Sequence, residues 1–446
     1  MNFFSALRAR LHDAHPDHHA IARGMAWVAL FVLLGSLARA AREMAIAYRY
    51  GVSAEVDAYL FVFNLVSWPV GVWFSVLTVV LVPLAAQIRH DAPGELPRFR
   101  AELLGLSLIV GVALAVVAAV GLPLLLGSPW TGLPPSVVIV ANQMVPVLLP
   151  LAPLGILIGL FSVWMLAAGR HANTLLEGVP AFVVLITLLA FPGGGTEPLV
   201  WGTLAGFIFH LLSIAAPLMR RGEVDAPRFL RQSTQWPAFW QGFGIMLAGQ
   251  VLMSFTAIID QFFAAHLGTG AIATISYANR ILALILGMGA LAVSRATMPV
   301  FSQAHAQGGK QHHRVATHWA RLMFVLGVGT TIVGWWLAPW VVVLFYQRGA
   351  FTSADTEVVT EVFRYGLPQL PFYFAGLVFV SYLSSRRAYV WLFWSGVIGL
   401  CAKFFGNAIL IQLYGVAGVA LATVFMYASN FLFLWWVFRN AAHAAR

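Results

Sequence analysis

Arg39 and Arg42 stand three residues apart at the end of a long apolar run, and Glu43 follows directly. Helical residues three apart share a face, so this spacing presents two guanidinium groups together. Guanidinium is planar, permanently charged and binds phosphate oxygens in bidentate fashion. Two of them on one face, aimed into a central cavity, suit bidentate phosphate binding. A second arrangement is open, with Arg39 paired to Glu43 at i, i+4 and Arg42 reaching outward. Further ionisable groups interrupt later apolar runs. Asp57 opens the next run beside Ala58-Tyr59, Asp260 and Arg280 lie in two successive runs, and Lys403 sits in another. Asp57 reads either as a functional acid or as a carboxylate stabilised by a helix N-terminus. An Asp260–Arg280 pair is available, and Lys403 fits either a lateral helix contact or a cavity charge. Arg295 and Arg364, near run ends, read as snorkelling cations, and Glu177 as interfacial.

The runs that carry these groups are membrane-spanning. Hydrophobic residues make up 60% of the 446 and charged residues only 9%, whereas a soluble domain carries roughly 25% charged. Such a chain cannot coat a water-facing surface, so a separate soluble catalytic domain is excluded. A spanning helix needs about 20 apolar residues. Twelve segments qualify, near 25–48, 56–87, 101–127, 136–167, 174–193, 199–219, 238–266, 273–303, 319–346, 358–384, 390–413 and 414–438. The runs lack the period-2 alternation of membrane strands. The first is informative: Met25 to Ala38 is too short to cross, so its helix must continue through Arg39, Arg42 and Glu43.

The net charge of +10 reports orientation, not a nucleic-acid partner. With the N-terminus inside, the inner segments take most of the arginines, including Arg89, Arg98, Arg100, Arg170, Arg220 and Arg221, while the opposite loops hold Arg49 and Arg348. The positive-inside rule then puts both termini in the cytosol. Residues 1–24 lack the apolar core of a signal peptide and read as a cytosolic amphipathic leader, with 439–446 as a cytosolic tail. The lone Cys401 excludes an internal disulfide, and no residue cluster calls for a metal or cofactor. Walker A, G-x-S-x-G and H-E-x-x-H patterns are absent, so ATP hydrolysis and hydrolytic chemistry lack support.

An internal repeat is visible. Pro83-Leu-Ala-Ala-Gln87 returns as Pro299-Val-Phe-Ser-Gln303, an offset of 216 (299 − 83), and Pro150-Leu-Ala-Pro153 returns as Pro368-Gln-Leu-Pro371, an offset of 218 (368 − 150). Six spans restore the starting side, so the halves are a parallel repeat. The expected architecture is an all-α polytopic membrane protein of about twelve helices, in two six-helix lobes around a central cavity. The lobes are 25–219 and 237–438, joined by a cytosolic linker, 220–236. Repeated lobes of this kind belong to alternating-access transporters.

Four stretches carry a family resemblance. Ala41-Arg42-Glu43 through Gly51 to Asp57-Ala58-Tyr59 resembles the first-loop signature of the MurJ/MviN family, within the multidrug and oligosaccharidyl-lipid exporter superfamily. Pro83 with Gln87, Ser276-Tyr277-Ala278-Asn279-Arg280, and Phe345-Tyr-Gln-Arg-Gly349-Ala-Phe351-Thr352 are similar to three further family landmarks. The resemblance implies a flippase, not an enzyme, that carries undecaprenyl-diphosphate-linked saccharide from inner to outer leaflet of the bacterial inner membrane, lipid II in the best-known members. It also implies that cavity arginines hold the diphosphate, and Arg42 and Arg280 match two of them, while Asp57 matches a family acid. The chain departs from the pattern at Val70 and Ser36, where the family has arginines, with Arg39 one turn beyond Ser36. It also has twelve spans where members commonly have fourteen.

The expected assignment is substrate binding by Arg39, Arg42 and Arg280, with gating or charge tuning by Glu43, Asp57 and Asp260. The partners are the lipid-linked saccharide, the bilayer and cell-envelope glycan enzymes, for a monomeric chain driven by a coupling ion or the membrane potential. A capsule-type glycan precursor is open as an alternative cargo. Two other classes remain: a cation-coupled exporter of small organic cations, which an arginine-lined cavity disfavours, and a non-transporting scaffold for polysaccharide synthesis.

Overall fold

The computed structural model describes residues 16–170, 176–307, 310–386 and 388–443. Residues 1–15 of the leader, Arg387 and the side chain of Arg295 lie outside the described residues. The described chain is helical, with two short 3-10 turns and no strand. In order, the helices are α1 (Pro16–Tyr50), α2 (Ala54–Asp91), α3 (Leu96–Leu126), α4 (Pro135–Leu148), α5 (Leu151–Ala167), α6 (Val179–Ala190) and α7 (Glu197–Arg220). They continue as α8 (Trp236–Ala265), α9 (Ala271–Gln307), α10 (Lys310–Phe345), α11 (Ser353–Gly366), α12 (Gln369–Ser385), α13 (Tyr389–Tyr414) and α14 (Val416–His443).

These fourteen helices follow the twelve apolar segments in order, because two segments are broken. The fourth is α4 plus α5, bent by 49°, and the tenth is α11 plus α12. Both second halves begin just after a proline, Pro150 and Pro368, which has no N–H to continue the ladder. A carbonyl released inside a membrane must find a donor in the protein. Near the second break, Thr331 Oγ1 donates to Leu367 O at 3.1 Å and Gln369 Nε2 to Gly366 O at 2.7 Å. Among the described residues nine helices are long and apolar enough to span, ten with the bent α4–α5 pair. The remaining two segments are α1, which runs unbroken past Arg39 and Arg42 to Tyr50 as its apolar length required, and α6. At 12 residues, α6 is about 18 Å long.

By packing, the chain forms two compact units that are not consecutive in sequence. One comprises Met1–Ala45, Leu77–Ala115 and Pro150–Gln241, and the other Ile46–Val76, Val116–Leu149 and Gly242–Arg446. The internal repeat reappears inside each as one helix contact. In the first unit, a Cβ at Gly111 of α3 would lie 2.7 Å from Pro153 Cα. In the second, a Cβ at Gly327 of α10 would lie 2.4 Å from Pro371 Cα. Both glycines let a neighbouring helix pass at the level of a break.

The 220–236 stretch is irregular but firmly held within the first unit. Buried Glu102 of α3 accepts from Gln232 N and Ser233 N, both at 3.1 Å, and from Trp236 Nε1 at 2.7 Å. Arg228 N donates to Ala101 O at 2.9 Å. Further back, Arg170 holds Glu223 through its Nη1 and Nη2 atoms, and Arg100 donates to Glu223 O at 3.0 Å.

Gly111→Ala and Gly327→Ala should each lower the thermal midpoint in detergent, at an overpacking cost of about 1–3 kcal/mol. Gly121→Ala, where a Cβ meets nothing within 4 Å, should not. The hydrogen bond from Arg170 holds the Glu223 carboxyl below its ordinary range, against the opposing effect of desolvation. A depressed folded pKa means that the clip is at full strength above the ordinary carboxylate pKa and is lost as pH falls through the folded value. The wild type should therefore unfold above the Glu223→Gln variant at pH 7, and the two midpoints should converge as pH falls below the ordinary carboxylate range and through the depressed folded value.

Candidate functional site

In the first unit, Arg39 is exposed and its Nη2 donates to Ser36 Oγ at 3.1 Å. Helical side chains lean toward the N-terminus, which carries this guanidinium back one turn to the level of Ser36. Arg42 pairs with its neighbour Glu43, and the two side chains are 15% and 8% exposed. Of the two arrangements open at the outset, the Arg39–Glu43 pair is therefore not formed. Glu43 pairs with Arg42, and Arg39 turns its guanidinium to Ser36 on α1. Electrostatically, Arg39 also reaches Glu177.

In the second unit, three of the sequence landmarks meet at one junction. Asp57, in the first turn of α2, is 1% exposed. Its Oδ2 accepts from Gly270 N at 2.5 Å and its Oδ1 from Ala273 N at 2.7 Å. It thus serves as the N-terminal anion of α9, where free N–H groups and the helix dipole favour a negative charge. Tyr277 of α9 donates its hydroxyl to Gly51 O at 3.0 Å, and Tyr346 donates to Tyr277 O at 3.3 Å. Ala350 N donates to Tyr48 O at 2.7 Å. The backbones approach so closely that side chains are excluded on both sides. Gly51 (φ 57°) and Gly349 (φ 62°) both adopt left-handed conformations, and a Cβ would meet Ala350 O at 2.5 Å and Tyr48 O at 2.3 Å respectively. Arg280 lies three residues beyond Tyr277 on α9 and is exposed with Asn279.

Asp260 of α8 is not paired with Arg280. Its cation is Lys403 of α13, at 2.8 Å, and Asn407 Nδ2 donates to the same oxygen, Oδ1, at 2.9 Å. Lys403 and Asn407 are four apart on one helix, hence on one face, and that face packs toward α8. Arg364 donates to Trp335 O at 3.1 Å and covers the Trp335 ring. Sequence reasoning passed over Glu102, whose signal was a lone acid at the edge of an apolar run; Tyr346 entered it only within the Phe345–Thr352 landmark, with no role of its own.

The family model described as MurJ, lipid II flippase, matches residues 46–445. The probable lipid II flippase MurJ of Buchnera aphidicola subsp. Baizongia pistaciae is 22% identical over 361 residues, 78% of this chain and 69% of that protein. The lipid II flippase MurJ of Burkholderia cenocepacia is 23% identical over 377 residues, 77% of this chain and 68% of that protein. Among solved structures, a lipid II flippase MurJ in an inward closed conformation superposes with a TM-score of 0.81 at 20% identity, over 93% of this chain and 87% of that one. An inward-facing multidrug transporter of the MATE family gives 0.70 at 16% identity, over 92% and 95%. Likeness at these identities shows a shared fold.

Asp57→Ala leaves two N–H groups of the α9 terminus without their anionic acceptor, at a cost of about 3 kcal/mol or more. Hydrogen exchange at the 270 and 273 amides should rise at least tenfold. Asp57→Asn, which keeps one acceptor oxygen, should fall between this variant and the wild type.

Proposed function

The chain belongs to the MurJ lipid II flippase family, and from that premise we propose that it moves an undecaprenyl-diphosphate-linked saccharide, lipid II first among candidates, from the inner to the outer leaflet by alternating access. The observation that carries this reading is the family match over residues 46–445, which takes in the Asp57 junction and Arg280. A diphosphate headgroup needs fixed cations in a medium where an isolated charge is costly, and guanidinium matches its oxygens bidentately.

Arg39, Arg42 and Arg280 are the proposed diphosphate ligands. Glu43, already paired with Arg42, tunes that guanidinium and is the group that substrate phosphate displaces. Asp57 holds the junction of α2 with α9 and acts as the gate contact; Asp260 has its charge matched by Lys403 and acts within its own unit. The arginine pattern supports a multi-pass protein with both termini on the inner side. The two six-helix lobes, 25–219 and 237–438, with 220–236 as linker, remain the proposed moving bodies. Small organic cations would be repelled by the same arginines, which disfavours drug efflux.

Arg42→Ala and Arg280→Ala should each reduce flipping roughly 10- to 100-fold, the worth of one charge-assisted hydrogen-bonding group, with unchanged amounts in the membrane. The assay is growth rescue in cells depleted of their own lipid II flippase, alongside a host lacking a capsule-precursor flippase. Rescue of the first host by the wild type supports lipid II. Rescue of the second alone redirects the cargo, and wild-type activity in neither overturns the proposal.

A further inference from the structure

The Lys403 ammonium is 1% exposed and sits in a cage made only of oxygens. It contacts Asp260 Oδ1 at 2.8 Å, donates to Val419 O at 3.1 Å and also donates to Thr423 Oγ1. A charged ammonium has three N–H donors and no acceptor capacity, so three acceptors saturate it. The cage comes from three helices: α8 gives the carboxylate, α13 the lysine, and α14 the carbonyl and hydroxyl four residues apart. Close packing of α13 on α14 permits this, for a Cβ at Gly406 would meet Ala422 Cβ at 3.2 Å. One more oxygen waits beside it. Asn407 is 0% exposed, its amide nitrogen is used on Asp260, and its Oδ1 is buried without a hydrogen-bond partner among the described residues.

Carboxylate, backbone carbonyl, hydroxyl and amide oxygen are the donors that bind hard metal cations. Nothing in the set calls for a lysine in particular; what it calls for is one positive charge surrounded by oxygen. We propose that Lys403 is a tethered cation, its ammonium filling an oxygen-lined alkali-metal-type site so that this half of the protein carries its own cation and takes none from solution. The site owes nothing to the identity of the cargo, so this inference stands apart from the transport reading. It assigns the Asp260 cluster a ligand class: a monovalent cation, covalently supplied.

The test is to remove the ammonium and keep the cage. Full-length Lys403→Ala, purified in detergent, is titrated with NaCl or KCl against choline chloride at constant ionic strength, with the thermal midpoint as readout and 22Na+ retention as the direct measure. The expected result is a saturable rise of about 3 °C or more with an alkali cation and near one bound Na+ per chain, neither of which the wild type shows. Lys403→Ala with Asp260→Asn, which removes both charges, should be folded and indifferent to the ion. A folded Lys403→Ala that ignores Na+ and K+ overturns the proposal, as does a wild type that responds to Na+ as the variant does. Should Lys403→Ala be recovered only when Na+ or K+ is present throughout, the proposal holds. Should it be lost under every ion while the double variant folds, the pair is an ordinary buried ion pair and the proposal fails.

Discussion

A bilayer interior offers no water to a charge or to a backbone group, and the rest of this structure follows from that constraint. Each buried acid has its own solution. Glu43 uses the adjacent guanidinium of Arg42, Asp57 uses the N–H groups that begin α9, and Asp260 uses an ammonium and an amide from α13. The broken helices obey the same rule: the carbonyls released near Pro368 are met by Thr331 and Gln369. Asp57 and Asp260 are therefore joints between elements, and for these two, neutralising the charge and joining two helices are the same act.

Two helix starts meet at the junction of α2 and α9. Asp57, in the first turn of α2, accepts from Ala273 N of α9, so one helix supplies a carboxylate and the other the dipole end that wants it. A buried ion pair such as that of Lys403 with Asp260 is weak evidence for stability, since an apolar replacement often serves as well.

Much of the architecture was legible in sequence, because the signals were local. Apolar run lengths marked the helices, and paired prolines at 150 and 368 marked the two breaks. The shortfall of apolar residues before Arg39 forced α1 onward through its charges. The site was legible only where a motif was contiguous: the stretch from Arg42 to Tyr59 contains both an intrahelical pair and a helix-start acid. The partner of Asp57 was not, since its acceptors face backbone N–H groups, which every residue has and no sequence pattern distinguishes. The Asp260–Arg280 expectation failed for a related reason. Adjacent segments were preferred as partners, while the helix face decided the matter, and Lys403 with Asn407 on a single face of α13 supplied the donors. Glu102 was overlooked because it stands where an apolar run begins, a place that looks like interface; the return of residues 228–236 onto it is a tertiary event.

The arginine pattern can be argued one step further from helix geometry. The resemblance implies an arginine at the position of Ser36, and this chain has an arginine one turn later, at Arg39. A side chain that leans toward the N-terminus closes much of that gap, and the hydrogen bond from Arg39 to Ser36 Oγ shows that the guanidinium arrives at the earlier level. Ser36 thus braces the guanidinium of Arg39. Val70 has no such stand-in, since its neighbours one turn away on α2, Val66, Ser67, Trp73 and Phe74, are uncharged. One departure thus preserves the charge at nearly the same place, and the other removes it.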